Sequence, residues 1–232
     1  MTPYYQDELV TLYLGDCKQV LPQLPEQPEL CVSDPRDGIG YKHSGKGAAV
    51  YNRKHSATKR HSEKIVGDAE PFDPTHLLEM DELILWGATN YAHLLPPGVG
   101  RWLIWDKADG RYEVDSFGDA ELAWHNKGKA SRIFRYAWKG VYCVKNGEDN
   151  GRRAHPSMKP LGLMKWCIGQ AKHKGLLVDP YAGSGSTLVA AKQLSRRAIG
   201  IEIMEKYCEV AAKRLSKELA FAANAMTSTP CV

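Results

Sequence analysis

The sequence predicts an α/β protein built on a parallel, doubly wound sheet. Short β-rich apolar runs alternate along the chain with segments of helical periodicity, a pattern typical of parallel strands covered by helices on both faces. One apolar run ends at Asp179 and is followed by a Gly-Ser-Gly turn that opens a helical pattern, as at the ligand edge of open α/β sheets. With 232 residues, 43% of them hydrophobic, the chain can bury one full core.

Six short runs of β-branched, aromatic and leucine residues are predicted as strands. They are Val10 to Leu14, Leu30 to Ser33, Leu83 to Trp86, Trp102 to Trp105, Gly175 to Val178 and Ala198 to Ile201.

Six segments with helical spacing of apolar residues are predicted as helices. They are Asp16 to Leu24, Pro74 to Met80, Asn90 to Leu94, Leu161 to Lys172, Ser184 to Leu194 and Glu205 to Ala222. The last carries an apolar stripe at Tyr207, Val210, Ala211 and Leu215, which indicates an amphipathic helix packed on a core.

Composition excludes several classes of protein. The net charge of +4 is too small to indicate a nucleic-acid partner without knowing where the charges lie. Six scattered cysteines without a C-x-x-C pair favour buried free thiols over zinc or disulfides, so no metal site is predicted. The chain shows neither a signal peptide nor an apolar run long enough for a bilayer, so we expect a soluble cytoplasmic protein.

The segment Asp179-Pro-Tyr-Ala-Gly-Ser-Gly-Ser-Thr187 is suited to a nucleotide-sized ligand. Gly183 and Gly185 allow a tight turn and close backbone approach, and the next helix presents its N-H donors. Glu202 ends the following strand, where a carboxylate can accept from ribose hydroxyls. Taken singly, Gly-x-Gly is a weak signal, and Glu202 could be a first-turn helix acid. No Gly-Lys-Ser/Thr follows the glycines, so a P-loop is disfavoured.

Four segments together resemble the S-adenosylmethionine-dependent DNA amino-methyltransferases. Asp179 to Thr187 resembles their cofactor loop, and Asp34-Pro-Arg-Asp37 resembles their catalytic Asp-Pro-Pro-Tyr segment with the last two residues replaced. His155-Pro-Ser-Met-Lys-Pro160 resembles their H-P-T-x-K-P block, and Leu14-Gly-Asp-Cys17 the block that contacts the adenine ring. The order of the segments resembles the beta arrangement of the family, which implies a circularly permuted, Rossmann-like sheet.

This resemblance implies a division of the chain. Residues 1–107 would form the catalytic half, with a basic loop at 42–64, and residues 154–223 the half that binds S-adenosylmethionine. Residues 108–153, rich in aromatic and basic side chains, would form a small target-recognition insertion. Residues 224–232 would form a frayed tail.

The resemblance also implies the residues that contact the cofactor. Asp16 would accept from the adenine amino group, although it serves equally well as an N-cap. Ser157 and Lys159 would contact the methionine end, and Glu202 the ribose. The full predicted set is Asp16, Cys17, Ser157, Lys159, Asp179, Pro180, Tyr181, Ala182, Gly183, Ser184, Gly185, Ser186, Thr187 and Glu202.

In the mechanism that the resemblance implies, the target base is flipped out of duplex DNA. The Asp34 side chain and the Pro35 carbonyl then accept the two hydrogens of its exocyclic amine. Arg36 and Asp37 depart from the motif, and Asp37 cannot supply the usual aromatic stacking, worth about 1–3 kcal/mol. Arg36 is able to stack on a base, to pair with Asp34 or to pair with Asp37. The leading aspartate favours adenine N6 over cytosine N4 as the target.

Double-stranded DNA is the partner that the resemblance implies, and a homodimer is the expectation carried from the family. Basic residues lie where the family places DNA contacts, and the predicted set is Lys42, Lys46, Arg53, Lys54, Arg132, Arg135 and Lys139. Because the catalytic motif is altered, a relative that binds DNA or cofactor without methyl transfer is the competing hypothesis. A third is a methyltransferase that acts on RNA or protein.

Overall fold

The computed structural model describes residues 1–36, 70–109, 118–139, 142–143 and 158–227. Its centre is a nine-stranded sheet in the order β1-β2-β11-β10-β3-β4-β6-β5-β7, and β8 and β9 form a separate hairpin. The strands are β1 (Tyr5–Gln6), β2 (Val10–Leu14), β3 (Leu30–Ser33), β4 (Glu82–Trp86), β5 (Arg101–Asp106), β6 (Ala120–His125), β7 (Arg132–Arg135), β8 (Trp138–Lys139), β9 (Tyr142–Cys143), β10 (Leu177–Asp179) and β11 (Ala198–Glu202).

The middle of the sheet is parallel, as the sequence predicts. Neighbouring strands from β2 through β11, β10 and β3 to β4 all run in the same direction. The sheet departs from the parallel arrangement at two places, where β1 is antiparallel to β2 and where β6 lies antiparallel between β4 and β5. Asp7 to Leu9 alone join β1 to β2, and so short a connection gives an antiparallel pair, since a parallel crossover needs a dozen or more residues.

All six predicted strands are present, two of them, Val10–Leu14 and Leu30–Ser33, with the predicted bounds. The α-helices are α1 (Cys17–Val20), α2 (Leu161–Gln170), α3 (Ser186–Gln193) and α4 (Glu205–Thr227). Helix α4 ends at Thr227, inside the segment 224–232 that the sequence predicts as a frayed tail.

Two of the predicted helices are wrong in type. The segment 74–80 contains a 3-10 turn at Thr75–Leu77, and the segment 90–94 contains one at Ala92–Leu94. Helix nucleation fixes several residues for one hydrogen bond, so apolar segments this short gain too little to continue as α-helices.

Both faces of the sheet are covered, so the doubly wound architecture is confirmed. Val10, Leu12 and Val32 face a core that contains residues of α2, α3 and α4. Tyr13 and Cys31 point to a second core, which contains residues of α1 and of the turn at Thr75–Leu77. Successive strand residues therefore enter opposite cores, as expected for buried parallel strands.

The segment 108–153 contributes to the central sheet as well as to the hairpin. Strand β6 pairs with β4 and β5, and β7 pairs with β5 at the far edge. The three residues at the end of β6, Ala123 to His125, are buried, which explains why this strand belongs inside the sheet. Within the described residues, no helix combines the length and the apolar character needed to cross a membrane.

Candidate active site

The carboxyl ends of β3 and β10 lie side by side, which brings Asp34 next to the loop that begins at Asp179. The two strands pair in parallel, with Leu30 opposite Leu177 and Cys31 opposite Val178. The Ser33 hydroxyl donates a hydrogen bond of 2.6 Å to Asp179 Oδ1 across the two strand ends. The predicted acceptor and the glycine loop therefore share one edge of the sheet.

The glycine loop needs its two glycines. Gly183 has φ of +51° and Gly185, which precedes α3, has φ of +80°, a region that other residues rarely adopt. A Cβ at Gly185 would also lie 2.8 Å from Ala211 Cβ. The loop therefore packs directly against α4, and its backbone conformation depends on these two glycines.

Asp179, at the end of β10, anchors the start of this loop. It accepts from the Ser33 hydroxyl and from the Tyr181 backbone N-H at 3.1 Å, and it is almost fully buried. Burial raises the pKa of Asp179 to about 6, although hydrogen bonds from Ser33, Thr187 and Tyr181 oppose the rise. Its described contacts fix the loop to β3.

Glu202 lies at the end of β11 and holds the other side of the loop. Its Oε2 accepts from the Gly183 N-H at 2.9 Å, and its Oε1 accepts from the Met204 N-H at 2.8 Å. Its backbone carbonyl accepts from the Gly15 N-H at 2.9 Å, which brings the segment of Asp16 to the same edge. A carboxylate has about four lone-pair positions, so these bonds leave acceptor capacity for a ligand hydroxyl.

Asp16 and Cys17 open α1 beside Glu202. Asp16 accepts from the Lys18 N-H at 2.9 Å and is the N-cap of α1, so the N-cap role is confirmed. Cys17 is a buried free thiol 3.9 Å from His76 Nε2. The adenine contact predicted for Asp16 stays a prediction.

Tyr181 belongs to an aromatic cluster that the sequence did not predict. Its hydroxyl lies 3.0 Å from His76 Nε2, and its ring packs edge-on against Phe72 at a centroid distance of 5.5 Å. Burial raises the pKa of Tyr181 and lowers that of His76, so both are neutral at pH 7.

The serines of the loop face α4. Arg214 Nη1 donates to the Ser184 carbonyl at 2.7 Å, and its guanidinium also contacts the hydroxyls of Ser184 and Ser186. Pro180, Ala182 and Thr187, the other predicted members, are buried under the loop. These five residues are therefore buried in the fold.

Lys159 lies on Asp34. Its Nζ is 2.7 Å from Asp34 Oδ2 and 3.1 Å from Glu121 Oε2. Glu121, on β6, also pairs with Lys107 at 2.9 Å. Burial raises the pKa of Glu121, but Lys159 and Lys107 together lower it to about 2. We call these four residues, Asp34, Lys159, Glu121 and Lys107, the carboxyl-edge charge chain.

Sequence analysis missed Glu121, Lys107 and His76. Glu121 could have been found from its position as the second residue of an apolar run. A carboxylate at that end of a strand faces the edge of the sheet where ligands bind. Nothing in the local pattern of Lys107 or His76 distinguishes them from ordinary surface residues.

The remaining predicted residues divide into two groups. Arg36 is half-buried, Pro35 is buried, Arg132 and Arg135 are exposed on β7, and Lys139 ends β8. Arg135 Nε lies 3.6 Å from Asp106 Oδ2. Outside the described residues are Asp37, Lys42, Lys46, Arg53, Lys54 and Ser157.

The donors and acceptors at this edge fit a nucleoside with an amino-acid end. The glycine turn, the N-terminus of α3 and the Glu202 carboxylate lie at this edge, and Asp34 follows the strand β3 that pairs with β10. Among the residues that the structure describes, no group of His, Cys, Asp and Glu side chains is arranged to hold a metal ion.

Comparisons with known proteins agree with this fold. The family model described as DNA methylase, which covers N6 and N4 methyltransferases, matches residues 43–213. The chain is 24% identical to the Type II methyltransferase M.ScaI of Streptomyces caespitosus over 257 residues, with 93% of this chain and 84% of that protein covered. It is 41% identical to M.HinfI of Haemophilus influenzae over 85 residues, but these cover 35% of this chain and 24% of that protein.

Two solved structures show the same fold. M1.HpyAVI in complex with SAM has a TM-score of 0.54 at 20% identity, with 89% of this chain and 99% of that chain covered. The cytosine-N4-specific PvuII DNA methyltransferase has a TM-score of 0.54 at 15% identity, with 91% and 88% covered. Because the family model matches most of the chain and the fold agrees with it, this protein belongs to the DNA methylase family of N6 and N4 methyltransferases.

Proposed function

We propose that this protein transfers a methyl group from S-adenosylmethionine to an exocyclic amine of a flipped base in duplex DNA, with adenine N6 as the target. The observation that carries the proposal is the contact between the ends of β3 and β10, where Ser33 and Asp179 bond at 2.6 Å. This contact joins the acceptor Asp34 to the glycine loop, so that a base and a cofactor would meet in one pocket.

The loop Asp179 to Thr187, with Glu202 and Asp16, would hold the cofactor. The N-H groups at the start of α3 and Gly183 suit a carboxylate, Glu202 suits the ribose hydroxyls, and Asp16 suits the adenine amine. Bound there, S-adenosylmethionine supplies an electrophilic methyl group. The structure of M1.HpyAVI, a protein of the same fold, is a complex with SAM, which supports this choice of cofactor.

Asp34 would act on the target amine. The lone pair of an exocyclic amine is delocalised into the ring, and acceptors on its two hydrogens localise that lone pair on nitrogen. The Asp34 carboxylate and the Pro35 carbonyl are placed at a strand end, where they can accept these hydrogens. The proton released on transfer has the Asp34 carboxylate within reach.

Cytosine N4 is the alternative target, since the PvuII enzyme of the same fold is cytosine-N4-specific. The aspartate that begins the motif supports adenine. A second candidate function is binding without methyl transfer, which Arg36 and Asp37 favour because they replace the proline and aromatic residue of the family motif. Duplex DNA as substrate, a homodimer and a cytoplasmic location remain part of the proposal.

A transfer assay tests the proposal. Duplex DNA and methyl-labelled S-adenosylmethionine are incubated with the wild-type chain and with Arg36→Pro/Asp37→Tyr, and the DNA is digested to nucleosides. We expect N6-methyladenine from the wild-type chain and more of it from the double variant. N4-methylcytosine would contradict the adenine assignment.

Label from the double variant alone would favour the binding function for this chain. Label in RNA or protein, with none in DNA, would support the third hypothesis. No transfer by either protein, together with no cofactor binding, would contradict the proposal as a whole.

A further inference from the structure

Lys159 is held between two carboxylates from different strands. Asp34 follows β3 and Glu121 lies on β6, and both are within 3.1 Å of Lys159 Nζ. The Trp86 ring, at the end of β4, lies below the ammonium group at 5.9 Å from its centroid. Three strands and the segment that leads into α2 therefore meet at this one nitrogen.

The lysine is buried more deeply than its partners. Its side chain is 12% exposed, against 27% for Asp34 and 36% for Glu121. Burial lowers the pKa of Lys159, but Asp34 and Glu121 raise it above the ordinary value of a lysine. A charged lysine at this depth needs its carboxylates, so the contact is a fixed part of the folded chain.

Glu121 is held in turn by Lys107 at 2.9 Å. Charges along the carboxyl-edge charge chain therefore alternate, from Asp34 through Lys159 and Glu121 to Lys107. Such a chain limits the rotamers of its members, and Asp34 is one of them. Displacement of a reactive group lowers the rate of the catalysed reaction, and a shift of about 1 Å lowers it by about 10²-fold.

We propose that Lys159 is a positioning residue for Asp34 and that Glu121 fixes Lys159 in place. This inference rests on the proposed function and assigns to Lys159 a task other than the cofactor contact that the sequence predicts. The ion pair uses Asp34 Oδ2, and a carboxylate has about four lone-pair positions, so pairing with Lys159 is compatible with acceptance from the target amine.

The first test asks whether the partner of Lys159 is Asp34 or the cofactor. S-adenosylmethionine is titrated calorimetrically into the wild-type chain, Lys159→Met and the control Lys172→Met, which removes an exposed lysine just after α2. We expect both variants to bind within about twofold of the wild type. Loss of a charge-assisted bond to the cofactor would weaken binding about tenfold or more, and that result for Lys159→Met would overturn the inference.

The second test measures coupling and does not depend on activity. Urea unfolding of Asp34→Asn, Lys159→Met and the double variant forms a cycle. We expect Lys159→Met to shift the unfolding midpoint about half as much, or less, in the Asp34→Asn chain as in the wild-type chain. Additive shifts would overturn the inference and leave the proposed function untouched.

The third test measures turnover in the wild-type chain and in the Arg36→Pro/Asp37→Tyr chain. We expect Lys159→Met to lower kcat by up to about 10²-fold with an unchanged KM for DNA, and Glu121→Gln to lower it less. Glu121→Gln should add no further loss to Lys159→Met, since Glu121 acts through the lysine. Full kcat in Lys159→Met would overturn the inference, whereas no turnover in either starting chain would contradict the proposed function.

Discussion

The two ends of α2 are joined to the sheet by two charge clusters that differ in exposure. At the carboxyl edge, Lys159 precedes α2 and pairs with Asp34 and Glu121, both partly exposed. At the amino edge, Glu82 begins β4 and is fully buried, as is His125 at 2.7 Å. The exposed cluster contains the proposed acceptor Asp34. The buried cluster is a paired contact inside the fold, and we interpret it as structural.

The buried cluster is satisfied mainly by backbone donors. The N-H groups of Lys172 and His173, just past α2, donate to Glu82 at 2.8 to 2.9 Å. Arg101 Nε donates to His125 Nδ1 at 3.2 Å, so the proton of a neutral His125 lies on Nε2 and points to Glu82. The difference between the edges indicates that one cluster stabilises the fold and the other leaves side chains accessible to a ligand.

The largest expected effect is the loss of stability in Glu82→Ala. The substitution leaves His125 and the backbone N-H groups of Lys172 and His173 without their acceptor. Breaking a buried pair such as Glu82 and His125 costs about 3–5 kcal/mol. Urea unfolding measures the change in free energy. The control Glu79→Ala, at an exposed position three residues earlier, should change it by less than about 0.5 kcal/mol. Equal effects of the two substitutions would show that the cluster at the amino edge does not stabilise the fold.

The second effect is on activity at the other edge. Asp34→Ala should lower methyl transfer by about 10²-fold or more, because the amine loses its positioned acceptor. Its unfolding free energy should fall much less than that of Glu82→Ala, since Lys159 keeps Glu121 as a partner. Transfer assays and urea unfolding on the same preparation check both parts. An Asp34→Ala protein that retains more than about a tenth of the activity would contradict the role of Asp34.

The third effect is a dependence of stability on pH. Burial lowers the pKa of His125 below its ordinary value, so the unfolded chain binds a proton that the folded chain does not. Stability from His125 is therefore present above the unfolded pKa of about 6.5 and is lost as the pH falls below it.

Burial raises the pKa of Glu82, but the N-H donors of His173 and Lys172, with His125, bring it below the ordinary value. Its contribution is lost in the same direction, at lower pH. Between pH 7 and 5.5 the unfolding free energy of the wild-type chain should fall more than that of His125→Gln. Parallel pH curves for the two proteins would be the opposite result.

The smallest effect concerns DNA affinity. Arg135 lies at the carboxyl end of β7, and Arg197 lies just before β11 at the amino edge with a similar exposure, 63% against 59%. Each phosphate contact contributes roughly one unit to the slope of log K against log salt concentration. Arg135→Ala should lower that slope by about one unit and Arg197→Ala should leave it unchanged. A lower slope for Arg197→Ala, with an unchanged slope for Arg135→Ala, would contradict DNA binding at the carboxyl edge of the sheet.

Local sequence predicted the parallel core well, because its strands are short apolar runs bounded by turn residues. The glycine loop was predictable too, since Gly183 and Gly185 supply backbone conformations that few other residues adopt. Strand β6 was not, because Glu121 and His125 interrupt its apolar pattern. Their polarity has a tertiary cause, as each pairs with a charged or polar side chain far away in sequence.

The contact between Asp34 and Lys159 lies beyond local pattern altogether. The two residues are 125 positions apart, and each belongs to a segment with its own plausible task. The pairing of β3 with β4 and of β4 with β6 brings Asp34 and Glu121 to one edge, where Lys159, just before α2, contacts both. Sequence thus indicated which residues carry chemistry, whereas topology determines which of them touch.

Calorimetric titration of S-adenosylmethionine into the wild-type chain and Glu202→Ala tests the central claim most directly. We expect saturable binding at one site per chain, and binding weakened at least tenfold in Glu202→Ala, because a buried carboxylate bond to a hydroxyl contributes roughly 1.5–3 kcal/mol. The control Glu209→Ala, an exposed residue on α4, should bind as the wild type does. No binding by the wild-type chain, or equal binding by all three proteins, would contradict a cofactor pocket at this edge of the sheet.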